Sequence, residues 1–323
     1  MKNRIIYIDQ LKTLAIFGVV CEHVSNISMG INGRVFWLFF LITMPMFFFS
    51  SGMFVKKKDN FPELLKYIAR RGKMLLLPFL IIGGGGKTLL MDHQNITRLF
   101  LEVDHCGYWF LLTLFLMDVI LSLLIYMMRS KISCKLRLYI LGSLTIIVFL
   151  LPKVPFLYPY KDILSLPLIG MYFPFFVFGY ILNHVEGVKE MTDKVHCWYS
   201  IILPLALIGL YGVMIKGIHA IYLVWPTMIA LTYIVYQIVK DISGKLTRFH
   251  LLSFVGQKSL YIYVFHYFFL PKSLSYLQPY IQDDMPLEII IIFGYSVVII
   301  LLALLTERFI KQSNFVHKLL FGK

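Results

Sequence analysis

The chain has 323 residues, of which 59% are apolar and 15% are charged, and its formal charge is +14. A mean hydropathy of +0.77 excludes an ordinary water-soluble globular protein. The positive charge does not indicate nucleic-acid binding, because the basic residues cluster between apolar runs, where they orient a membrane protein and meet anionic membrane lipids.

Apolar runs follow one another along most of the chain. A helix that crosses the hydrocarbon core needs about 20 mostly apolar residues, and ten runs approach this length, at 8–29, 35–55, 74–91, 107–128, 138–151, 163–182, 199–215, 218–239, 252–270 and 287–306. The first run is interpreted as a retained helix, since no small-residue cleavage site ends it. The pattern predicts an all-α polytopic membrane helix bundle of about ten transmembrane helices, with a single domain over residues 1–323.

Two of these runs have irregular features. The fifth run is short, so nine spans with one re-entrant segment are an alternative, and Pro152 and Pro155 predict a loop directly after it. In the third run, Gly83–Thr88 is similar to the end of a P-loop, but that motif requires glycine at Ile81 and a preceding strand. A bent or broken membrane helix is predicted there instead.

Basic residues crowd the second and fourth breaks between the runs and the tail of the chain. They are Lys56, Lys57, Lys58, Lys66, Arg70, Arg71 and Lys73 in the second break, Arg129, Lys131, Lys135 and Arg137 in the fourth, and Arg308, Lys311, Lys318 and Lys323 in the tail. Because cytoplasmic loops are enriched in Lys and Arg, these segments are predicted to be cytoplasmic. Both termini are then cytoplasmic, which agrees with an even number of spans.

No metal site is predicted. The four cysteines lack C-x-x-C spacing and are interpreted as packing residues; they are Cys21, Cys106, Cys134 and Cys197. The grouping of His93, Asp104 and His105 in the third break has no recognised ligand spacing either, and these side chains are expected to face water.

The first helix carries the densest set of ionisable residues, namely Asp9, Lys12, Glu22 and His23. Lys12 and His23 are eleven residues apart, which places them on one helix face about 16 Å apart along the axis. Lys12 could instead pair with Asp9 or extend to the lipid headgroups, and His23 could simply hydrogen-bond a neighbouring helix. Its depth in the membrane favours a functional role, because a buried titratable group is energetically unfavourable. Glu22 points to another face and is a possible partner elsewhere in the bundle.

The ninth run contains a second set of candidates. Ser259 and His266 are seven residues apart and therefore share a helix face. Helix rise predicts that His266 lies at roughly the depth of His23, so the two histidines could form a shared site if their helices touch. If the helices do not touch, His266 is explained as a buried, hydrogen-bonded residue. Ser259 is interpreted as a helix–helix hydrogen-bond residue, with a ligand contact as the alternative.

Several sequence blocks, in this order, resemble the acyltransferase-3 family of bacterial membrane O-acyltransferases. The blocks are Tyr7 through Lys12 with His23, Met44 through Phe54, Arg70-Arg71 with Leu75 to Pro78, Gly107 through Leu111, Phe173 to Gly179, and Gly256 through His266. The resemblance covers most of the chain. It departs at Lys12, where the family usually has arginine. Lysine lacks the planar guanidinium group, which can hydrogen-bond two phosphate oxygens at once.

The resemblance implies a membrane-embedded acyltransferase in the bacterial cell (inner) membrane. It would move an acyl group, usually acetyl, from acyl-CoA to a hydroxyl of a cell-envelope polysaccharide or another glycan, which could be lipid-linked. The expected catalytic residues are His23, Glu22 and His266, and the expected acyl-CoA contacts are Lys12, Arg70, Arg71 and Ser259. Acetyl-CoA is then a donor substrate, and no permanently bound cofactor is expected.

A non-enzymatic transporter or flippase for a lipid-linked glycan is the alternative. In that case, the intramembrane histidines would line a polar path and no acyl group would be transferred.

Overall fold

The structure is a computed structural model that describes residues 6–128, 132–188, 190, 199–246, 250–281 and 284–322. Of the residues interpreted above, Arg129, Lys131, Cys197 and Lys323 lie outside the described residues. Within the described ranges the chain is helical and has no strand. The predicted all-α class is therefore confirmed.

Fourteen α-helices are defined within the described residues. In chain order they are α1 (Ile6–His23), α2 (Arg34–Gly52), α3 (Phe61–Pro78), α4 (Thr97–Leu101), α5 (Trp109–Met127), α6 (Cys134–Leu150), α7 (Leu166–His184), α8 (Tyr199–Leu210), α9 (Ile221–Leu246), α10 (His250–Gln257), α11 (Ser259–Phe269), α12 (Gln278–Ile281), α13 (Met285–Ile310) and α14 (Asn314–Phe321). Three segments continue α1, α3 and α8 with π-helical winding, namely Val24–Ser28, Phe79–Met91 and Tyr211–Ile215.

Seven helical segments in the described part of the chain are long and apolar enough to cross a membrane. They are Arg34–Gly52, Phe61–Met91, Trp109–Met127, Cys134–Lys153, Leu166–His184, Leu223–Ser243 and Met285–Ile310. This pattern is that of a multi-pass membrane protein. The remaining three predicted runs also fall on helices, but α1 contains three charged residues, the apolar helix Ile201–Ile215 is shorter, and the ninth run is interrupted at Lys258.

The two irregular runs are both helical. The fifth run forms α6, which with the turn Leu151–Lys153 is long enough to span, and this finding favours a span over a re-entrant segment. The third run is continuous with α3 and changes from α to π winding at Phe79. A β-carbon at Gly83 would lie 2.9 Å from Cγ of Tyr108, so this glycine permits close packing.

The described residues divide into two compact units. The first comprises Met1–Ser50 and Asp193–Glu307, and the second comprises Ser51–Thr192 and Arg308–Lys323.

In the first unit, α1 is enclosed by α9, α10 and α11. The α1–α10 contact is so close that a β-carbon at Gly256 would lie 1.8 Å from the carbonyl oxygen of Asp9. The hydroxyl of Thr13 donates a hydrogen bond across the same contact to the carbonyl of Leu252. The sequence therefore needs a residue without a side chain at position 256 to bring these two helices together.

In the second unit, α3 packs against α5 and α6 packs against α7. Asn60 caps α3, since its side-chain oxygen accepts a hydrogen bond of 2.9 Å from the backbone N–H of Glu63. The C-terminal helix α14 lies on α3, where a β-carbon at Gly322 would lie 2.6 Å from Cβ of Lys73. Gly322 has φ +64°, a conformation that favours glycine and ends the helix.

Candidate active site

His23 and His266 form a hydrogen-bonded pair in the first unit. Nδ1 of His23 lies 2.8 Å from Nε2 of His266, and the two ring planes are 8° from parallel with centroids 4.9 Å apart. The N–N distance is shorter than any contact between stacked ring faces, so the rings meet edge to edge. The structure thus brings the two histidines together at one depth, as their positions in the sequence predict.

The partners of each ring nitrogen define the direction of these hydrogen bonds. Nδ1 of His266 lies 2.6 Å from the carbonyl oxygen of Tyr263 and must donate, because a carbonyl only accepts. With His266 neutral, its Nε2 accepts from Nδ1–H of His23. The lone pair of a neutral His23 is then on Nε2, where the hydroxyl of Tyr267 donates a hydrogen bond of 3.2 Å.

The two histidines differ in burial and in their positions within their helices. His266 is fully buried in α11, where its carbonyl partner is one turn earlier in the same helix. His23 is half-buried and is the last residue of α1, at the point where α winding gives way to the π-turn Val24–Ser28. Single π-turns of this kind occur often at functional sites. The hydrogen bonds run from the Tyr263 carbonyl through His266 to His23. His23, whose Nε2 contacts the Tyr267 hydroxyl, is the less buried of the two histidines.

Glu22, the third predicted catalytic residue, lies on a different face of α1. Its Oε2 accepts a hydrogen bond of 3.2 Å from the hydroxyl of Thr43 on α2. A β-carbon at Gly18 would lie 2.3 Å from Cγ2 of Thr43, so α1 and α2 are in close contact at this position. The structure therefore places Glu22 at a helix–helix contact and does not bring it into the His23–His266 pair.

The candidate donor-binding residues of this unit lie towards the other end of α1. Lys12 is half-buried, three turns before His23 on an uninterrupted helix. Ser259 is half-buried at the first position of α11, next to Lys258, which pairs with Glu307. Nε2 of Gln257 lies 3.5 Å from Oδ2 of Asp9. The helix break at Lys258 therefore places several polar groups at this end of the unit.

The first unit also contains a polar pocket of about 390 Å³, part of which is lined by the segment that follows the π-turn Val24–Ser28. It begins at Gly30, seven residues after His23, and its polar lining comes from Asn32, Arg34, Gln278 and Glu288. Glu288 is only 4% exposed, and its Oε1 has no hydrogen-bond partner among the residues that the structure describes. A buried polar atom without a partner is unfavourable, so this carboxyl group is suited to receive a hydrogen-bond donor from a bound molecule.

The two arginines predicted to meet acyl-CoA lie in the second unit and have different surroundings. Arg71 is paired with Asp118, which also accepts a hydrogen bond of 3.2 Å from the hydroxyl of Tyr67. Arg70 is exposed, and its guanidinium lies 5.9 Å from the centre of the Tyr67 ring. The positive charge of Arg71 is therefore compensated within the protein.

His105 is buried, so the expectation from the sequence that it faces water is wrong. It is fully buried and makes two hydrogen bonds of 2.6 Å, from Nδ1 to the carbonyl of Leu99 and between Nε2 and the hydroxyl of Ser165. Burial lowers the pKa of His105 below 6.5, although the Leu99 carbonyl and the charges of Asp104 and Asp162 oppose this shift. No group of three or more His, Cys, Asp or Glu residues within the described ranges is placed to hold a metal ion.

Tyr267, the Tyr263 carbonyl and Glu288 were not among the residues predicted from the sequence. The sequence contained a signal for Tyr267 as a site residue, since its polar hydroxyl lies next to His266 in an apolar helix. The Tyr263 carbonyl had none, because any backbone carbonyl can accept a hydrogen bond. Glu288 follows a proline at the start of an apolar run, where an acidic residue is commonly a helix-terminus feature.

Comparison with known proteins gives a family assignment. The acyltransferase-3 family model, described as an acyltransferase domain, matches residues 5–308. This range includes all seven predicted site residues and the residues that line the polar pocket. No curated protein and no solved structure matches the chain.

Proposed function

The chain belongs to the acyltransferase-3 family, and from this premise we propose that it transfers an acetyl group from acetyl-CoA to a hydroxyl of a cell-envelope polysaccharide or another surface glycan. Family membership and the seven apolar helical segments make it a multi-pass membrane acyltransferase. The acetyl donor, the glycan acceptor and a location in the bacterial inner membrane are part of the proposal.

The observation that carries the proposal is the directed hydrogen-bond chain at His23. Tyr267 donates its hydroxyl proton towards Nε2 of His23, so a hydroxyl group fits against this nitrogen. An acceptor hydroxyl that takes the place of the Tyr267 hydroxyl would be positioned for proton removal by His23. We therefore assign His23 as the general base.

The chemical step follows from this assignment. As Nε2 of His23 takes the proton, the acceptor oxygen attacks the thioester carbonyl carbon and forms the new C–O bond. The C–S bond then breaks, and the CoA sulfur leaves as a thiolate that recovers the proton from the His23 imidazolium. Attack of Nε2 on the thioester, with transient formation of an acyl-imidazole, is the other route open to the same lone pair.

His266 acts on the reaction through His23. Its Nε2 accepts Nδ1–H of His23, which fixes the tautomer of His23 and stabilises the positive charge that develops on the ring. The Tyr263 carbonyl fixes His266 in turn. This arrangement has the same logic as a catalytic triad, in which a third group orients the base.

We assign the polar pocket lined by Asn32, Arg34, Gln278 and Glu288 to the acceptor. Hydroxyl groups of a sugar can donate to the buried carboxyl of Glu288 and exchange hydrogen bonds with the amides of Asn32 and Gln278. The volume of about 390 Å³ lies within the range of roughly 300–1,000 Å³ for small-molecule pockets. The proposed step does not use Glu22, whose Oε2 accepts a hydrogen bond from Thr43.

We assign Lys12 and Ser259 to the opposite, donor side of the same unit. CoA is an elongated molecule with anionic phosphates far from its thioester, and Lys12 lies about 16 Å from His23 by helix rise. A cation at this distance suits the phosphates when the thioester lies at His23. Arg70 is retained as a further candidate contact, whereas the pairing of Arg71 with Asp118 makes Arg71 a weaker one.

The test separates an acyltransferase from a carrier. Purified protein is incubated with acetyl-CoA labelled in the acetyl group and with an envelope extract, and label in the glycan fraction is counted. The proposal predicts labelled glycan together with free CoA. A glycan carrier, or a flippase, would give neither product, and that result would overturn the proposal.

A further inference from the structure

The second unit contains a basic pocket whose residues are not among the catalytic and acyl-CoA-binding residues predicted from the sequence. It has a volume of about 440 Å³ and is lined by Lys56, Lys57, Ile125, Met128, Arg137, Tyr180 and His184. Four of these seven side chains are basic, and none is acidic. Lys56, Lys57 and Arg137 bring three cationic side chains to one concave site.

Hydrogen bonds fix the shape of this basic pocket. Nζ of Lys57 donates to the carbonyl of Met128 over 2.8 Å, which joins the segment after α2 to the end of α5. Nε2 of His184 donates to the carbonyl of Met53 over 3.0 Å. The ring of His184 also lies against Tyr180, with centroids 5.0 Å apart. The lining is therefore held by contacts between separate chain segments and is more than a row of surface lysines.

The electrostatic surroundings of the basic pocket differ from those of Arg71. The charge of Arg71 is compensated by Asp118, whereas the described residues that line the basic pocket include no carboxylate. At the neighbouring Lys58, burial lowers the pKa, and repulsion from Arg70 and Lys56 lowers it further. The carboxylates of Glu63 and Asp59 oppose this shift.

We propose that the basic pocket is a phosphate-binding site. The guanidinium of Arg137 can hold two phosphate oxygens at once, and the ammonium groups of Lys56 and Lys57 add charge-assisted hydrogen bonds. Such a phosphate has two possible sources, the nucleotide portion of CoA or the headgroup of an anionic lipid. Only the assignment of CoA as the source rests on the proposed function; the phosphate site itself does not.

The test compares two double variants that each remove two positive charges. Lys56→Ala with Arg137→Gln changes the basic pocket but keeps the structural hydrogen bond of Lys57. Lys66→Ala with Lys135→Ala removes two exposed lysines outside the pocket and is the matched control. Binding of adenosine 3′,5′-bisphosphate and of vesicles with or without phosphatidylglycerol is measured for detergent-purified or reconstituted protein. Thermal unfolding and size-exclusion profiles establish that each variant is folded, and the single variant Arg137→Gln is used if the double variant is not.

The pocket variant is expected to weaken binding of one of these probes by about tenfold or more, while the control stays within about threefold of wild type. Loss of nucleotide binding identifies CoA as the source, and loss of the phosphatidylglycerol dependence identifies lipid. Equal affinities for both probes in the pocket variant and its control would overturn the phosphate site. Wild-type protein that binds phosphate through this pocket but transfers no acetyl group would instead contradict the proposed function alone.

Discussion

Nδ1 of His23 donates a hydrogen bond to Nε2 of His266 over 2.8 Å, and this contact connects the C-terminal end of α1 to α11. His266 also donates to the Tyr263 carbonyl, and the second ring nitrogen of His23, Nε2, accepts from the Tyr267 hydroxyl. The relationship assigns different roles to two residues of the same type. In the proposed mechanism, His23 touches the substrate and His266 positions His23.

The positioning role of His266 predicts a graded loss of activity. His266→Ala should lower acetyl transfer by roughly 10²-fold, since it removes the acceptor that fixes the tautomer of His23. His266→Gln should recover part of this loss, because its side-chain oxygen can accept from Nδ1–H of His23. Initial rates and their pH profiles are measured for both variants. An unchanged rate and pH profile in the alanine variant would show that His266 has no influence on the base.

The close contact of α1 and α10 predicts a large stability effect at Gly256. Gly256→Ala should destabilise the protein by about 1–3 kcal/mol, because the new β-carbon would lie 1.8 Å from the Asp9 carbonyl oxygen. Gly294→Ala is the matched control, since a β-carbon on this α13 glycine meets nothing within 4 Å. Thermal unfolding in detergent should show a lower midpoint for the first variant and no loss for the second. Equal midpoints would mean that the helices do not approach this closely.

Part of this arrangement could be predicted from the sequence. Apolar runs of membrane-spanning length identified the helices, and helix rise placed His23 and His266 at a common depth. The break at Lys258 was not predicted, because an apolar run gives no signal for where backbone hydrogen bonding is interrupted. The pairing of Arg71 with Asp118 was also not predicted. Such a pair depends on how α3 and α5 are rotated relative to each other, and the sequence does not give this rotation.

The buried carboxyl of Glu288 predicts a specific loss in acceptor use. Glu288→Gln should lower labelling of the glycan by about 10–100-fold, because it replaces a charged acceptor of sugar hydroxyl protons with a neutral amide. Binding of acetyl-CoA should not change, since Glu288 lies in the pocket assigned to the acceptor. Transfer and donor binding are measured on the same preparation. Parallel losses in both would argue against an acceptor pocket at this position.

The buried His105 predicts that stability depends on pH. Because the pKa of His105 is lowered in the folded state, the unfolded chain takes up a proton more readily as the pH falls. Its contribution is therefore full above about pH 6.5 and declines as the pH is lowered from there towards the pKa of the folded protein. Thermal midpoints between roughly pH 8 and 5 should fall less steeply in His105→Gln than in wild type. Identical slopes would contradict this account of His105.

The most direct test of the central claim compares two changes at the same nitrogen of His23. His23→Ala removes the base, whereas Tyr267→Phe removes only the hydroxyl that donates to Nε2. Transfer of labelled acetyl groups should fall by at least about 10²-fold in the first variant and stay within about tenfold of wild type in the second. Full activity of a correctly folded His23→Ala protein would contradict the assignment of His23 as the catalytic base.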